Sequence, residues 1–288
     1  MEKLKLSDQV NNYLSILNVP LQKPSYKFLE MICQVHLNTF PFENISKLLA
    51  LHQNKSMNSE IPNIKQFTTN HTDYNFGGTC YTLNSSLLTL LRELGFSCYH
   101  IMLGKEHIGI IVDLDEHRYY VDVGAAAPFF KPVRFESKHD NGAHFGKDEV
   151  CLLPVDLNNN EFKYIRYTNG KQNGKTWHFN ANQAVTINDF RKVIKKSYMS
   201  AAPFISIFRC QLYQTDQKRC VSIVNNKFSI QYSSGEIEVH FLSSLQQIRQ
   251  VIEEEFRLPK LPVEEAIEVL NDMKVNIFAD RGSGGNQT

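Results

Sequence analysis

The sequence predicts an α+β protein built as two or three consecutive sub-domains. Three observations predict it. Apolar residues recur at helix spacing through the first 95 positions. After Gly95, short β-branched or aromatic runs broken by turn residues follow one another, as in a barrel or a sandwich. Beyond about residue 186, helix-like and strand-like segments alternate without a repeat.

In chain order, "SDQVNNYLSIL" opens with Ser7 as an N-cap, and Val10, Tyr13, Leu14 and Leu17 form a helical stripe. "SYKFLEMICQVHLNTF" repeats that pattern with Phe28, Ile32 and Val35. "HQNKSMNSEIPN" is polar and reads as a loop. Leu83, Leu87, Leu90, Leu91 and Leu94 define a further helix, with Arg92 in its last turn and Gly95 at the C′ position. Strands are expected at "CYHIML", "HIGIIVDL", "RYYVDVG", "VRFES", "EVCLLPV", "FKYIRYT" and "WHFNA". A short helix follows in "TINDFRKVIKKSYMS". Further strands lie in "PFISIFRCQLYQ", "RCVSIVNNKFSIQYSS" and "EIEVHFL". "SSLQQIRQVIEEEFRL" and "VEEAIEVLNDM" close the chain as helices, and "DRGSGGNQT" reads as a disordered tail.

Composition excludes several classes of function. A formal net charge of +1 makes no electrostatic case for nucleic acid or an anionic membrane. No apolar stretch approaches the roughly 20 residues of a membrane span. The N-terminus lacks the apolar core of a signal peptide. Six widely spaced cysteines, with no C-x-x-C, suggest free thiols in a cytoplasmic protein. No Cys/His cluster has zinc-ligand spacing, so no metal is expected.

One cysteine stands apart. In "NFGGTCYTLN", Gly77 and Gly78 make a turn, Thr79 is placed as N-cap, and Cys80 becomes the first helical residue. There the unpaired amides and the helix dipole favour an anion, as a nucleophilic thiolate requires. The competing reading is a buried, inert thiol. The segment "HIGIIVDLDEHRYYVDV" reads as two strands joined by a turn. A two-residue turn at Leu114 and Asp115 sets Asp113 opposite Glu116 and His107 opposite Asp122, with Cβ atoms about 4.5–5.5 Å apart. A four-residue loop keeps both on one face as diagonal neighbours, and a three-residue loop separates them. Asp122 can thus hold one imidazole nitrogen while the other faces a thiolate; the alternative is a purely structural His–Asp pair. His139 and His144 flank a turn, and His100 and His117 have no evident acid partner.

These residues resemble the arylamine N-acetyltransferase family. The resemblance is carried by "PFENI" at 41–45, "FGGTCYTLN" at 76–84, "EHIGIIV" at 106–112 and "YVDVG" at 120–124. "GAAAPFFKPV", "SAAPFISIFRCQLYQTDQKRCVSIVNNKFSI" and "LQQIRQVIEEEFRLPKL" extend it from about residue 7 to 270. It implies an N-terminal helical bundle (1–95) carrying the nucleophilic Cys80, a central β-barrel (96–200) carrying His107 and Asp122, and a C-terminal α/β lid (201–288). The three side chains would form a cysteine-protease-like Cys-His-Asp triad. The implied activity is ping-pong acetyl transfer from acetyl-CoA, through a Cys80 thioester, to an arylamine or arylhydrazine, as in xenobiotic metabolism. Phe42, Phe129, Phe130 and Phe204 would flank the acceptor, and Gly124, Ala125 and Ala126 the acyl donor. The Cys80 amide would serve the oxyanion.

The chain departs from the family at named positions. Phe76 stands for the arginine before Gly-Gly, Thr82 for a glutamate and Ala126 for a glycine. Glu43 then needs another hydrogen-bond donor or a raised pKa. Cys80 and His107 are 27 positions apart, about one loop short of the family pattern. These departures keep two other functions open: an amide synthase acting on a tethered acyl thioester, and a catalytically weak relative that binds CoA or small aromatics. "RKVIKK" at 191–196 could meet CoA phosphates or be a solvated helix face.

Overall fold

Capping side chains fix where the N-terminal helices begin. In the computed structural model, which describes residues 6–52, 61–137, 139–199 and 202–279, the Ser7 side chain accepts from the Val10 amide at the start of α1 (Asp8–Leu17). Ser25 does the same with Phe28 for α2 (Tyr26–Thr39). A short strand β1 (Phe42–Glu43) and α3 (Ile45–His52) follow. Asn63 and Gln66 form a reciprocal capping box on α4 (Ile64–Tyr74). The predicted stripes of α1 and α2 meet α4 and α5 (Cys80–Glu93) in one apolar cluster, with Tyr13, Phe28, Ile32, Phe67, Leu87 and Leu91 at its centre. Most of the polar stretch read as a loop, at 53–60, and the tail at 280–288 lie outside the described residues.

Three antiparallel sheets follow. β2 (Ser97–Leu103), β3 (His107–Leu114) and β4 (His117–Val121) form the first. β5 (Gly142–Phe145), β6 (Asp148–Asp156), β7 (Glu161–Thr168) and β8 (Lys171–Asn180) form the second. Their facing side chains, among them Ile101, Ile111, Tyr120, Leu152, Phe162 and Phe179, make a shared core. The expected β-barrel is therefore corrected: among the described residues the two sheets stack without closing into one. Closure needs a partner on every strand edge. The free side of β4 meets only an isolated bridge, Tyr120 to Val133, and β2 only one from His100 to Val185. The "VRFES" strand is reduced to that single bridge, because Pro128 and Pro132 interrupt the preceding stretch and supply no amide.

After a short α6 (Arg191–Lys196) comes the third sheet, of β9 (Arg209–Gln214), β10 (Arg219–Val224), β11 (Lys227–Tyr232) and β12 (Ile237–Phe241). Its fifth member is β1, which pairs Phe42 with Gln211 and Glu43 with Cys210. One face, including Leu212, Val221, Ile223 and Ile230, packs on α7 (Leu245–Glu254) and α8 (Val263–Asp272). Ile45 and Leu48 of α3 join that core. No helix among the described residues is long and apolar enough to cross a membrane.

The caps make a differential prediction. Ser25→Ala should lower stability by about 1 kcal/mol, read as a lower urea midpoint at unchanged slope. Thr79→Ala, at a cap position whose side chain makes no cap bond, should change stability by less than about 0.5 kcal/mol.

Candidate active site

The stretch before Cys80 is shaped by close contact with β1. The Gly78 amide donates to the Pro41 carbonyl at 3.3 Å, and the Glu43 amide donates back to the Gly78 carbonyl at 3.1 Å. A Cβ on Gly77 would lie 1.9 Å from the Pro41 oxygen, and Gly78 sits at a φ of 132°. Both glycines are therefore required by the approach of β1. The fully buried Glu43 accepts from the Gly77 amide (3.3 Å), the Ser46 hydroxyl (2.7 Å) and the Ser46 amide (2.9 Å). Burial raises its pKa while these bonds oppose the shift. Donors from Ser46 and Gly77 thus stand where a guanidinium was expected. Phe76 instead packs beside the C-terminal core, stacked on Tyr74 at 5.2 Å.

Cys80 is the first residue of α5 and is half-buried. Thr79 occupies the N-cap position in extended conformation, but its side chain makes no cap bond. The N-terminal amides of the helix are left without that competing acceptor.

The β3–β4 register differs from the expected one. The turn residues are Asp115 and Glu116, at φ of 50° and 61°, and Leu114 pairs with His117. Asp113 consequently faces Arg118, and His107 and Asp122 are diagonal neighbours on one face, not directly opposed. A two-residue turn with both φ positive usually carries Asn-Gly or Asp-Gly. Asp-Glu gives no such signal, which is why the sequence misplaced the turn by one residue.

The diagonal arrangement still joins the two side chains. His107 Nε2 lies 2.7 Å from Asp122 Oδ2. Tyr120 donates its hydroxyl to the same oxygen at 2.6 Å. Oδ1 accepts from Asn84 Nδ2 at 2.8 Å and from the Gly124 amide at 2.9 Å. Burial alone would lower the His107 pKa, but Asp122 outweighs it and raises the value to about 10. Burial likewise acts to raise the Asp122 pKa, and the charged imidazole with the other donors holds it below the ordinary carboxylate value. Nε2 is engaged by Asp122, and the Cys80 side chain also favours the charged ring.

Sequence reading missed the residues that support this cluster. Asn84 follows Cys80 by one helical turn and also binds the Ile108 carbonyl (2.6 Å) and the Val123 amide (3.0 Å). The only tryptophan, Trp177 of β8, stacks on His107 with ring centroids 4.6 Å apart and planes at 10°. Its indole donates to Glu106, which also binds Lys175. "WHFNA" had signalled only a strand, because nothing local to it points at His107.

The remaining expected residues divide. Phe42 and Phe204 meet edge to face at 5.6 Å beside the Gly78 bridge. Phe129 is fully buried among Tyr120 and Tyr164, so it is a core residue with no surface for a ligand. Phe130 packs on Phe145 and Tyr213 and lines a separate depression with Glu30 and His144. Gly124 abuts Cys80: an added Cβ would lie 2.5 Å from the Cys80 Cα. Ala126 stands at a φ of 50°, a conformation costing a non-glycine residue roughly 1–2 kcal/mol. Arg166 braces it by donating to the Ala125 and Ala126 carbonyls. In α6 only Ile194 is buried, so its basic residues form an outward face. No group of His, Cys, Asp or Glu among the described residues has the arrangement of a metal site.

A sequence family described as N-acetyltransferase matches residues 26–264. The chain belongs to the arylamine N-acetyltransferase family. The fold agrees with solved members of this family. The arylamine N-acetyltransferase of Salmonella typhimurium superposes with a TM-score of 0.74 at 15% identity, over 93% of this chain and 99% of that one. The Mycobacterium marinum arylamine N-acetyltransferase, solved in complex with CoA, gives 0.71 at 16% identity, over 92% and 99%. An arylamine N-acetyltransferase from Bacillus cereus, described as having a Cys-His-Glu catalytic triad, gives 0.68 at 15% identity, over 87% and 98%. No curated protein matches the sequence.

Two outcomes test the geometry. Asp122→Asn should destabilise the protein by about 3–5 kcal/mol at neutral pH. The paired charges contribute there, and that contribution is lost as pH rises through about 10, where His107 deprotonates. It is also lost as pH falls through the lowered Asp122 pKa. Denaturation midpoints of the variant and the wild type should therefore converge at both extremes. Trp177→Leu should slow alkylation of Cys80 by iodoacetamide roughly 10- to 100-fold through a misplaced imidazole, with Trp177→Phe close to the wild type.

Proposed function

We propose that this family member transfers an acetyl group from acetyl-CoA, through a thioester on Cys80, to an arylamine or arylhydrazine. The observation that carries the reading is the buried His107–Asp122 pair, whose charged ring is further favoured by Cys80 at a helix N-terminus. An imidazolium beside a cysteine favours the thiolate, which is the attacking form. In the first half-reaction Cys80 attacks the acetyl carbonyl and His107 returns the proton to the departing CoA sulfur. In the second the amine attacks the thioester, and His107 takes its proton as Cys80 leaves. Asp122 keeps the ring oriented and balances its charge throughout. The Cys80 amide, free of a Thr79 cap bond, is the candidate oxyanion donor.

Phe42 and Phe204 offer an aromatic wall for the acceptor, and Gly124, Ala125 and Ala126 the loop facing the acyl donor. The CoA complex of the Mycobacterium marinum enzyme supports acetyl-CoA as donor. Residues 1–95 would then supply the nucleophile, 96–200 the base and its acid partner, and 201–288 the covering wall, in a cytoplasmic enzyme of foreign-amine metabolism.

Brief incubation with acetyl-CoA should add about 42 Da, one acetyl group, to the intact protein and nothing to Cys80→Ala. Subsequent addition of an arylamine should discharge it. A folded wild-type protein that takes up no mass overturns the reading.

A further inference from the structure

Arg209, at the start of β9, carries a charge that the described chain leaves unanswered. Its guanidinium carbon lies 5.2 Å from the Phe42 ring centroid and 5.9 Å from that of Phe204. No carboxylate among the described residues pairs with it. Its backbone amide is bonded to Asn44, but its side chain makes no hydrogen bond to the described protein. The residue itself is half-buried. Burial, then the like charge of Arg166, lowers its pKa to about 10, which leaves it charged at neutral pH.

The position is held rigidly and without a counter-charge. Asn44 accepts from the Arg209 amide at 2.8 Å, and its own amide donates to the Arg209 carbonyl at 3.2 Å. The Asn44 side chain also binds the carbonyls of Phe204 (2.9 Å) and Ile207 (2.7 Å). The motif that places Phe42 beside the Gly78 bridge thus also fixes Phe204 and Arg209.

A closed series of neighbours connects this charge to Cys80. Arg209 lies over the Phe42 ring, and Phe42 bridges to Gly78, two residues before Cys80. On the other side Gly124 abuts Cys80, and Arg166 binds the carbonyls of Ala125 and Ala126. Arg166 is near enough to lower the pKa of Arg209. Arg166 therefore uses donors on the protein, whereas no described residue takes a donor of the Arg209 fork. A guanidinium stacked on aromatic rings presents its N–H edge sideways, in the geometry that grips a carboxylate or phosphate bidentately. A half-buried cation with no counter-charge among the described residues is completed by an anion that reaches its exposed side.

We propose that Arg209, backed by Arg166, binds an anionic group of a substrate in the Cys80 cleft, either a carboxylate on the aromatic acceptor or a phosphate of the acyl donor. This inference rests on the reading of that cleft as the acyl-transfer site. It assigns the recognition of a substrate's charge to Arg209, which the family membership by itself does not specify.

Calorimetric binding tests it without turnover, using 4-aminobenzoate, its methyl ester, CoA and pantetheine on the wild type and Arg209→Gln. The substitution should weaken binding of one anion roughly 10- to 100-fold, as expected for a lost charged hydrogen bond, and leave the matching neutral compound unchanged. Loss for 4-aminobenzoate but not its ester assigns the acceptor carboxylate. Loss for CoA but not pantetheine assigns the donor phosphates. Equal affinities of the two proteins for both anions overturn the proposal. If Arg209→Gln does not fold, Arg209→Lys takes its place, keeping the charge but not the fork, with a smaller loss confined to the same anion. Arg209-dependent anion binding in a protein that never acquires an acetyl group would refute the acyl-transfer reading alone.

Discussion

The buried carboxylate of Asp122 is the constraint on which the rest of the site depends. It lies just past the end of β4 and takes hydrogen bonds from β3 through His107, from β4 through Tyr120, from α5 through Asn84 and from the following loop through Gly124. A carboxylate removed from water is tolerable only when its lone pairs are filled, and here four donors fill them. That requirement ties the helix bearing Cys80 to the sheet bearing His107. The same four bonds fix the imidazole and hold the loop of Gly124 against Cys80. Electrostatics and packing therefore act in one direction, because the geometry that satisfies the Asp122 carboxylate also orients the His107 ring.

A second fixed point lies in the four residues from Pro41 to Asn44. Pro41 and Glu43 hold the Gly77–Gly78 backbone, and Asn44 holds the loop from Phe204 to Arg209. The absence of an arginine at position 76 matters less than the motif comparison suggests. Ser46 supplies two of the bonds Glu43 needs, and the Gly77 amide a third. Phe76, freed from that duty, extends the C-terminal core. The loss of one ionic partner is absorbed locally.

What was legible in the sequence was local. The stripes of Val10, Tyr13 and Leu14, the cap at Ser7 and the helix start at Cys80 follow from short-range spacing, and they are present. The order of helices, then strands, then mixed elements is also present. What was not legible depended on contacts between distant segments. Whether two sheets stack or close is decided by edge pairing, which no single strand encodes. The β3–β4 turn was misplaced because Asp115 and Glu116 adopt positive φ without a glycine. Trp177 comes to His107 from a strand 70 positions away, and Phe129 looked like its neighbour Phe130 until burial separated them.

The pairing of Phe42 with Gln211 also governs when the site can exist. Two residues of the N-terminal segment complete a sheet whose other strands begin at Arg209. The loop before Cys80 is braced against Pro41 and Glu43, on either side of Phe42. During synthesis Cys80, His107 and Asp122 all leave the ribosome before the strand that anchors β1. Long-range pairings of this kind form slowly, because the loop entropy must be spent before the contacts stabilise. The brace on the loop before Cys80 is thus finished only when the strand from Arg209 to Gln214 has joined β1.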